Sequence, residues 1–238
     1  TIMTIPLLSR RRMRFSMQVI WQSLYWYFHF ALSLRQVSSL LDERGVKVHH
    51  SSIFRWISKF SPELEKAFRK HKLPVSPSWR VDETYIKIKG KDRYLYRAVD
   101  KLGNTIDFLL TFRRDLKSAK RFFKKSIKTN GLPGIVNTDK SGANIAALNS
   151  VNESNGNRIH ASDSKYLNNI VEQDHRVIKK RIRGMLGFKT FKSAKLILAG
   201  IEILRMISKN QCGYAPLFHQ NSREAYWMLA QSIKVRMN

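Results

Sequence analysis

The sequence predicts an α/β fold, a mixed sheet flanked by helices, that is preceded by an all-α unit. Three strand-like segments follow one another between residues 79 and 112, and helical and strand signals then alternate to residue 206. Amphipathic helical patterns occupy the first 75 residues. We therefore expect a helical domain over 1–75, an α/β domain over 76–210 and a helical tail over 211–238.

The composition indicates an acidic partner. The chain has 44 Lys and Arg against 17 Asp and Glu, a formal net charge of +27. Such an excess favours binding to a polyanion through counterion release, and nucleic acid is the commonest polyanion. On charge alone, a ribosomal-type structural protein or a membrane-surface binder is the alternative. Hydrophobic residues make up 43% of the chain, so it can build real cores and is not disordered.

The beginning of the chain imitates a signal peptide, because four arginines precede an apolar stretch from Phe15 to Leu34. That stretch is rich in Trp, Tyr, Gln and His, so it is too polar to cross a bilayer, and we expect its aromatic residues in a protein core. Thr1 in place of Met suggests a fragment or a non-standard start. Cys212 is the only cysteine. A lone cysteine excludes an intramolecular disulfide and a Cys-based zinc cluster, and it favours a reducing compartment.

The first element after this stretch is a short capped helix. Ser33 and Gln36 fit the capping-box pattern, in which a hydroxyl and an amide satisfy backbone N–H groups at the start of a helix. Gly45 suits the left-handed backbone that follows a helix end. The pattern predicts a helix that begins after Ser33 and ends near Arg44.

A second amphipathic helix follows, with Ser51 or Ser52 as its expected cap and Arg55 and Lys59 on its outer side. Two helices joined at a glycine form a helix-turn-helix pattern, whose second helix enters the major groove of DNA. Ser51, Ser52, Arg55 and Lys59 are therefore candidate DNA contacts. The pattern also occurs in helical proteins that bind no DNA, and the basic composition is what favours the DNA interpretation. Loop residues from Pro74 to Ser78 mark the domain boundary.

Strand signals begin at Trp79. Three segments rich in β-branched and aromatic residues are separated by turn residues, which predicts antiparallel strands over 79–89, 93–100 and 105–112. Helices are then predicted over 116–128, 142–151 and 166–183, with a buried strand at 135–139 and a further strand before the last of these helices. This order is that of a ribonuclease H-like domain, a fold used for phosphodiester chemistry. An apolar helix over 191–206 is either core or subunit interface, and core is favoured.

Carboxylates are scarce in this half, so each is informative. Asp82 lies mid-strand, where a carboxylate is costly to bury unless it binds a metal or a hydrogen-bond donor. Strand alternation places Glu83 on the opposite face. Asp139 ends an apolar strand at the edge where open sheets place their ligands. Glu172 lies on the polar side of the long helix, and that side also carries Arg176, Lys179 and Arg183.

Structural roles explain each acid equally well when it is taken alone. Asp82 can be a hydrogen-bond acceptor, Asp139 a helix N-cap, and Glu172 half of a solvated pair with Arg176. Asp174 complicates the choice, because it sits in the apolar stripe and faces the sheet more directly than Glu172. Spacing alone does not decide between Glu172 and Asp174. Asp174 could instead pair with Arg181, two turns further on.

Five segments in order resemble the transposases of the insertion-sequence-six family of bacterial elements: VDETYIKIKG, YLYRAVD, VNTDKSG, KYLNNIVEQDH and LGFK. The resemblance extends from about Phe15 to Asn210. It implies a DDE triad on Asp82, Asp139 and Glu172 that holds two Mg²⁺ or Mn²⁺ ions, and so selects Glu172 over Asp174. Lys179 matches the basic residue that these enzymes place near the DNA backbone. The interval between Asp139 and Glu172 is slightly short for the family and implies a shortened loop around Asn152–Asn157.

The resemblance also implies a function. Water would cut at each element end and free a 3′-hydroxyl, which attacks a target phosphodiester directly and gives a cointegrate. Synapsis of two ends implies a homodimer or higher oligomer that binds terminal inverted repeats and target DNA in the bacterial cytoplasm, associated with the nucleoid. The alternatives are a catalytically inactive DNA-binding regulator and a ribonuclease H-like nuclease or resolvase that cleaves without joining.

Overall fold

The computed structural model describes residues 14–138, 142–156, 158–185, 187–214 and 221–233. Within these ranges eight helices and five strands follow in the order α1 (Met17–His29), α2 (Leu34–Asp42), α3 (His50–His71), β1 (Ser78–Ile88), β2 (Lys91–Asp100), β3 (Thr105–Thr111), α4 (Leu116–Asn130), β4 (Ile135–Thr138), α5 (Gly142–Glu153), β5 (His160–Ser162), α6 (Lys165–Arg183), α7 (Phe191–Ser208) and α8 (Ser222–Ser232).

The five strands form one mixed sheet in the order β3-β2-β1-β4-β5. β1, β2 and β3 pair antiparallel through short turns, whereas β4 pairs parallel to β1 and β5 parallel to β4. The antiparallel meander followed by parallel strands added through helical crossovers is the ribonuclease H-like arrangement, so the predicted fold class is confirmed. The predicted element bounds agree with the structure to within about two residues, including β2, which begins at Lys91 instead of residue 93.

Each face of the sheet has its own hydrophobic core. On one face α4 and α5 pack against side chains such as Trp79, Val81 and Tyr96. On the other face lie α6, α7 and the ends of β1 to β3, and this second core continues without a break into α1, α2, α3 and α8. The alternation of β1 therefore sends odd-numbered side chains near Val81 to α4 and α5, and even-numbered ones near Asp82 to α6.

Helix α7 is the centre of the second core. Most of its side chains are buried, including Glu202 and every residue from Ile197 to Leu204. Gly200 lies against the ring of Phe28 in α1, where an added Cβ would come within 2.4 Å of ring carbons. The expectation that this helix is core is confirmed.

The N-terminal helices bury the aromatic residues that resembled a signal sequence. Trp21, Tyr25, Tyr27 and Phe28 of α1 are all buried, which confirms the core interpretation. Among the described helices, none is both long and apolar enough to span a membrane. Arg181 of α6 ties this region to the sheet layer by donating to the backbone oxygens of Tyr27 and Phe28 at 2.5 and 2.9 Å.

The capping box on α2 is present as predicted, with Ser33 and Gln36 in reciprocal hydrogen bonds at 3.2 and 2.8 Å. The prediction that Ser51 or Ser52 caps α3 is wrong. His49 is the cap, because its ring Nδ1 accepts from the backbone N–H of Ser51 and the helix begins at His50. Ser51 and Ser52 therefore lie in the first turn of α3.

Candidate active site

Asp82 lies in the middle of β1 and faces α6. Its side chain is 20% exposed, and its Oδ2 lies 3.2 Å from Nε2 of His175, which is itself buried. The contact has the distance of an ion pair without the angles of a hydrogen bond, so both ring nitrogens of His175 lack a hydrogen-bond partner among the described residues. The partly solvated carboxylate and the buried imidazole make this point of the sheet polar, and the hydrogen-bonding capacity of the imidazole is not satisfied by the described residues.

Glu83, the neighbour of Asp82, points to the opposite face as strand alternation predicts. It accepts from Arg114 at 2.9 Å and from Asn144 of α5 at 2.9 Å. Its carboxylate is buried in this set of contacts. Asp82 and Glu83 therefore serve different faces of the sheet, and only Asp82 lies on the side of α6.

The end of β4 and the beginning of α6 are joined by one side chain. Asn137 donates to the backbone oxygen of Ser164 and to Oδ1 of Asn168, and it accepts from the N–H of Ser164. In the sheet, Thr138 pairs with Val81, so β4 ends beside the residue that precedes Asp82. Asp139, the next candidate acid, lies outside the described residues.

Glu172 is exposed on α6, at the edge of the face that contacts the sheet. Asn168 reaches β4 and His175 reaches β1 from the same side of the helix. At 100° per residue, Glu172 lies about 40° from Asn168 and about 60° from His175 around the helix axis. Glu172 thus lies on the segment of α6 that contacts the middle of β1 and the end of β4.

Asp174 has a different environment from Glu172, although only one residue separates them. It is buried and accepts hydrogen bonds from Arg97 at 2.6 Å, Arg205 at 3.0 Å and Lys209 at 2.8 Å. Arg97 is fully buried and also donates to Glu202 of α7 at 2.6 Å. The suggested pair with Arg181 is wrong, because Arg181 points to α1 while Asp174 points to β2 and α7.

The charges of this buried cluster perturb one another. Burial by itself raises the pKa of the Asp174 carboxyl, but Arg97 and Lys209 outweigh it and hold that pKa well below its usual range. Burial lowers the pKa of Lys209 to about 8, against the opposing effect of the Asp174 charge. Asp174 is therefore an ionised, structural carboxylate that joins β2, α6 and α7.

His175 is the member of the site that sequence reasoning missed. Asn168 and His175 are two turns apart on α6, on a face that apart from Asp174 is mainly apolar, and both reach the sheet. Polar residues that recur at this spacing inside an apolar stripe were the available signal.

The candidate DNA-binding residues lie on two exposed helix faces. On α3, Arg55 and Lys59 are exposed and Ser51 and Ser52 are half-buried, all on one side of the helix. On α6, Arg176, Lys179 and Arg183 are exposed together with Glu172. The two sets of residues lie on separate helices, and neither set belongs to the buried charge cluster around Arg97.

The candidate site fits a hard divalent cation in its chemistry. Asp82 supplies carboxylate oxygens at a partly solvated position, and His175 beside it bears ring nitrogens without hydrogen-bond partners in the described residues. The described residues form no group of three His, Cys, Asp or Glu that could hold a metal ion, and Asp139 is not among them.

A ribonuclease H-like sheet with an acid on its central strand, in a strongly basic chain, defines a class of enzyme: the polynucleotidyl transferases, which act on phosphodiester bonds. Comparison with known families places the chain within this class. Residues 76–211 match the DDE domain model of IS240-type transposases. The chain belongs to the insertion-sequence-six family of DDE transposases.

The chain is similar over most of its length to transposases of Staphylococcus aureus. The chain is 41% identical over 201 residues to the transposase for insertion sequence-like element IS431mec of Staphylococcus aureus, a match that covers 84% of this chain and 88% of the relative. The same identity and coverage hold for the transposase for insertion sequence element IS257 in transposon Tn4003 of the same organism. Among solved structures, the HTLV-2 integrase catalytic core domain in complex with magnesium matches at a TM-score of 0.44 and 20% identity, covering 56% of this chain and 86% of that one.

Proposed function

We propose that this transposase binds the ends of its insertion element, cleaves DNA there, and joins the freed 3′-hydroxyl to target DNA, with Asp82, Asp139 and Glu172 as its catalytic carboxylates. The observation that carries the proposal is the contact between His175 of α6 and Asp82 of β1. This contact holds the helix that bears Glu172 across the strand that bears Asp82. Asp82 is partly exposed and Glu172 is exposed, and both lie outside the buried charge cluster around Arg97.

Asp82, Asp139 and Glu172 would hold two Mg²⁺ or Mn²⁺ ions, which when bound stabilise the charge on the attacking and leaving oxygens of an in-line displacement at phosphorus. The protein's own contribution is to position these acids. Asn137 holds the beginning of α6 against β4, and the buried Arg97–Asp174 pair holds its middle against β2. Both attachments restrict the helix that carries Glu172.

The basic helix faces would position the DNA. The second helix of the proposed helix-turn-helix, α3, would contact an element end through Ser51, Ser52, Arg55 and Lys59. Arg176, Lys179 and Arg183 on α6 lie on the same helix as Glu172, where they would bind the phosphate backbone near the cleavage point. The 3′-hydroxyl attacks the target phosphodiester directly, so no covalent protein–DNA intermediate is required.

At the level of the element, we propose that transposition gives cointegrates and that two ends are held by a homodimer or a larger homo-oligomer. Each protomer would contribute one site and one helix-turn-helix. The reaction would take place on nucleoid DNA in the bacterial cytoplasm.

The test is a joining assay with element-end DNA, a target plasmid and Mg²⁺. We expect joined product from the wild-type protein and none from the Asp82→Asn variant, with binding of the end DNA retained in both. Asp92→Asn is the matched control, because Asp92 is exposed at the other end of the β1–β2 hairpin, where it forms a surface ion pair with Lys87. Nicked product without joining would indicate a nuclease, and bound DNA without nicking would indicate a regulator. Joining by Asp82→Asn protein would remove Asp82 from the site.

A further inference from the structure

Helix α4 presents a continuous basic face to solvent. Five of its cations lie within about 100° around the helix axis, and their side chains are exposed or half-exposed: Lys117, Lys120, Arg121, Lys124 and Lys128. The opposite side of α4 buries Ala119, Phe122 and Phe123 in the core under the sheet. We call the five cations the α4 basic face. Together with the exposed Phe112 and Leu116, they line an open groove of about 1160 Å³.

Acidic side chains compensate little of the charge of this face. Asp115, the N-cap of α4, lines the same groove and interacts electrostatically with Lys117, the first of the five cations. In the part of the chain that the structure describes, none of the five forms an ion pair, and α4 itself contains no acidic residue. Lys125, on the adjacent side of the helix, shows the contrast, because it binds Asp107 at 2.7 Å and the Phe108 carbonyl at 2.7 Å. Like charges three and four residues apart on a helix repel one another, so the free face is costly to the isolated protein.

The position of α4 separates this face from the two basic faces described above. α4 packs on the side of the sheet opposite α6, so a ligand on α4 does not occupy Arg176, Lys179 and Arg183. The loop that leads into α4 is nevertheless tied to the catalytic strand, since Arg114 donates to Glu83, the neighbour of Asp82. The far end of α4 meets the end of α3 through Lys72, which donates to Asn130 at 2.6 Å.

The dimensions and chemistry fit duplex DNA. The 15 residues of α4 span about 22 Å, and a duplex carries one phosphate per about 1.7 Å of its axis. Four of the five cations are lysines, which bind phosphate as point charges and do not select bases by bidentate hydrogen bonding. Such a surface suits DNA of no fixed sequence.

We infer that the α4 basic face binds target DNA, through its phosphate backbone and independently of sequence. The inference rests on the proposed function, because it assigns one of the two DNA substrates of that reaction to a separate surface. Element ends are then held by α3 and α6 on one side of the sheet. On the other side, α4 holds a stretch of the target duplex that flanks the attacked phosphodiester, and that phosphodiester itself lies at the candidate active site.

The test is done with Asp82→Asn protein, so that binding is measured apart from catalysis. A triple variant, Lys120→Gln, Lys124→Gln and Lys128→Gln, is compared with a control triple of the same charge change, Lys89→Gln, Lys91→Gln and Lys101→Gln. The control lysines are exposed, two of them in turns between strands and Lys91 at the first position of β2. Affinity for a duplex without element ends is measured over a range of salt. We expect the slope of log K against log salt to fall by about 2.7 in the α4 triple, from about 0.9 per lost phosphate contact, and to stay unchanged in the control.

Two further measurements make the result specific. Replacement of the same three lysines by arginine keeps the charge and should restore the slope. Preference for element-end DNA over random duplex should be retained in the α4 triple, while in catalytically competent protein joining to target plasmid falls and cleavage at the ends continues. The inference would be overturned if the slope of log K against log salt fell equally in both triple variants, or if the α4 triple variant kept the wild-type slope. If Asp82→Asn protein still joined DNA, the proposed catalytic site would be wrong, but the measured binding of DNA by the α4 basic face would remain valid.

Discussion

Glu172 and Asp174 lie two positions apart on α6 and allow a sharp separation of catalysis from stability. We expect Asp174→Asn to destabilise the protein strongly. Asp174 accepts from Arg97, Lys209 and the partly exposed Arg205. Among the described residues, the substitution leaves these three cations with Glu202 as their one buried counter-charge. Breaking a buried ion pair in this way costs about 3–5 kcal/mol, a large part of the total stability of a typical domain.

The companion change Glu172→Gln removes the same charge from an exposed position on the same helix. We expect the free energy of unfolding to change by less than about 0.5 kcal/mol, as for other surface substitutions. Strand joining should be lost, because Glu172 is one of the proposed catalytic carboxylates. Each of the two variants is the control for the other, since both lose one negative charge within one helical turn.

The measurements are urea denaturation followed by circular dichroism and the joining assay on element-end DNA. For a chain of this size, a loss of about 3–5 kcal/mol lowers the melting temperature by roughly 10 °C. Full joining activity in the Glu172→Gln variant would remove Glu172 from the site. Wild-type stability in the Asp174→Asn variant would show that the cluster around Arg97 does not stabilise the fold.

Other consequences of the structure can be measured on the same protein. The pKa of Asp174 is depressed in the folded state, so the ionised carboxylate contributes stability above its unfolded pKa of about 3.9, and this contribution is lost as pH falls through the folded pKa. The difference in free energy of unfolding between wild type and Asp174→Asn should therefore shrink below about pH 4 in unfolding measurements. Gly200→Ala should lower the free energy of unfolding by about 1–3 kcal/mol, because the added methyl group overpacks against Phe28. The double variant with Phe28→Leu should recover part of this stability in thermal melts, and a double variant without recovery would show that the strain lies elsewhere. Ser33→Ala should cost about 1 kcal/mol by removing the capping box of α2, whereas the exposed Ser39→Ala should be nearly neutral, and equal effects would contradict the capping role.

Local signals predicted most of the fold. Alternating apolar residues located the three antiparallel strands, and the capping box at Ser33 located α2. These signals succeed because strand alternation and capping depend on residues only a few positions apart. The cap of α3 was predicted wrongly for a local reason, since the ring of His49 substitutes for a hydroxyl at a position where serine is the more usual residue.

Less of the candidate site than of the fold could be predicted from the sequence. Strand alternation correctly separated Asp82 from Glu83, and helical phase correctly placed Asp174 toward the sheet. The sequence did not reveal the three partners of Asp174. Arg97 lies on β2, and Arg205 and Lys209 lie at the end of α7, all far from Asp174 in the chain. His175 was missed for the same reason.

By itself, the sequence determined which segments become helices and strands, which faces of them are apolar, and which motifs resemble a transposase, because all of these depend on the order of neighbouring residues. The tertiary structure decided which acids are buried with counter-charges and which stay accessible. That outcome depends on how α6 and α7 pack on the sheet, and burial with Arg97 makes Asp174 structural while Glu172 stays exposed. Long-range packing sets the local dielectric and the partners of each charge, and so it separates two acids that the sequence places almost side by side.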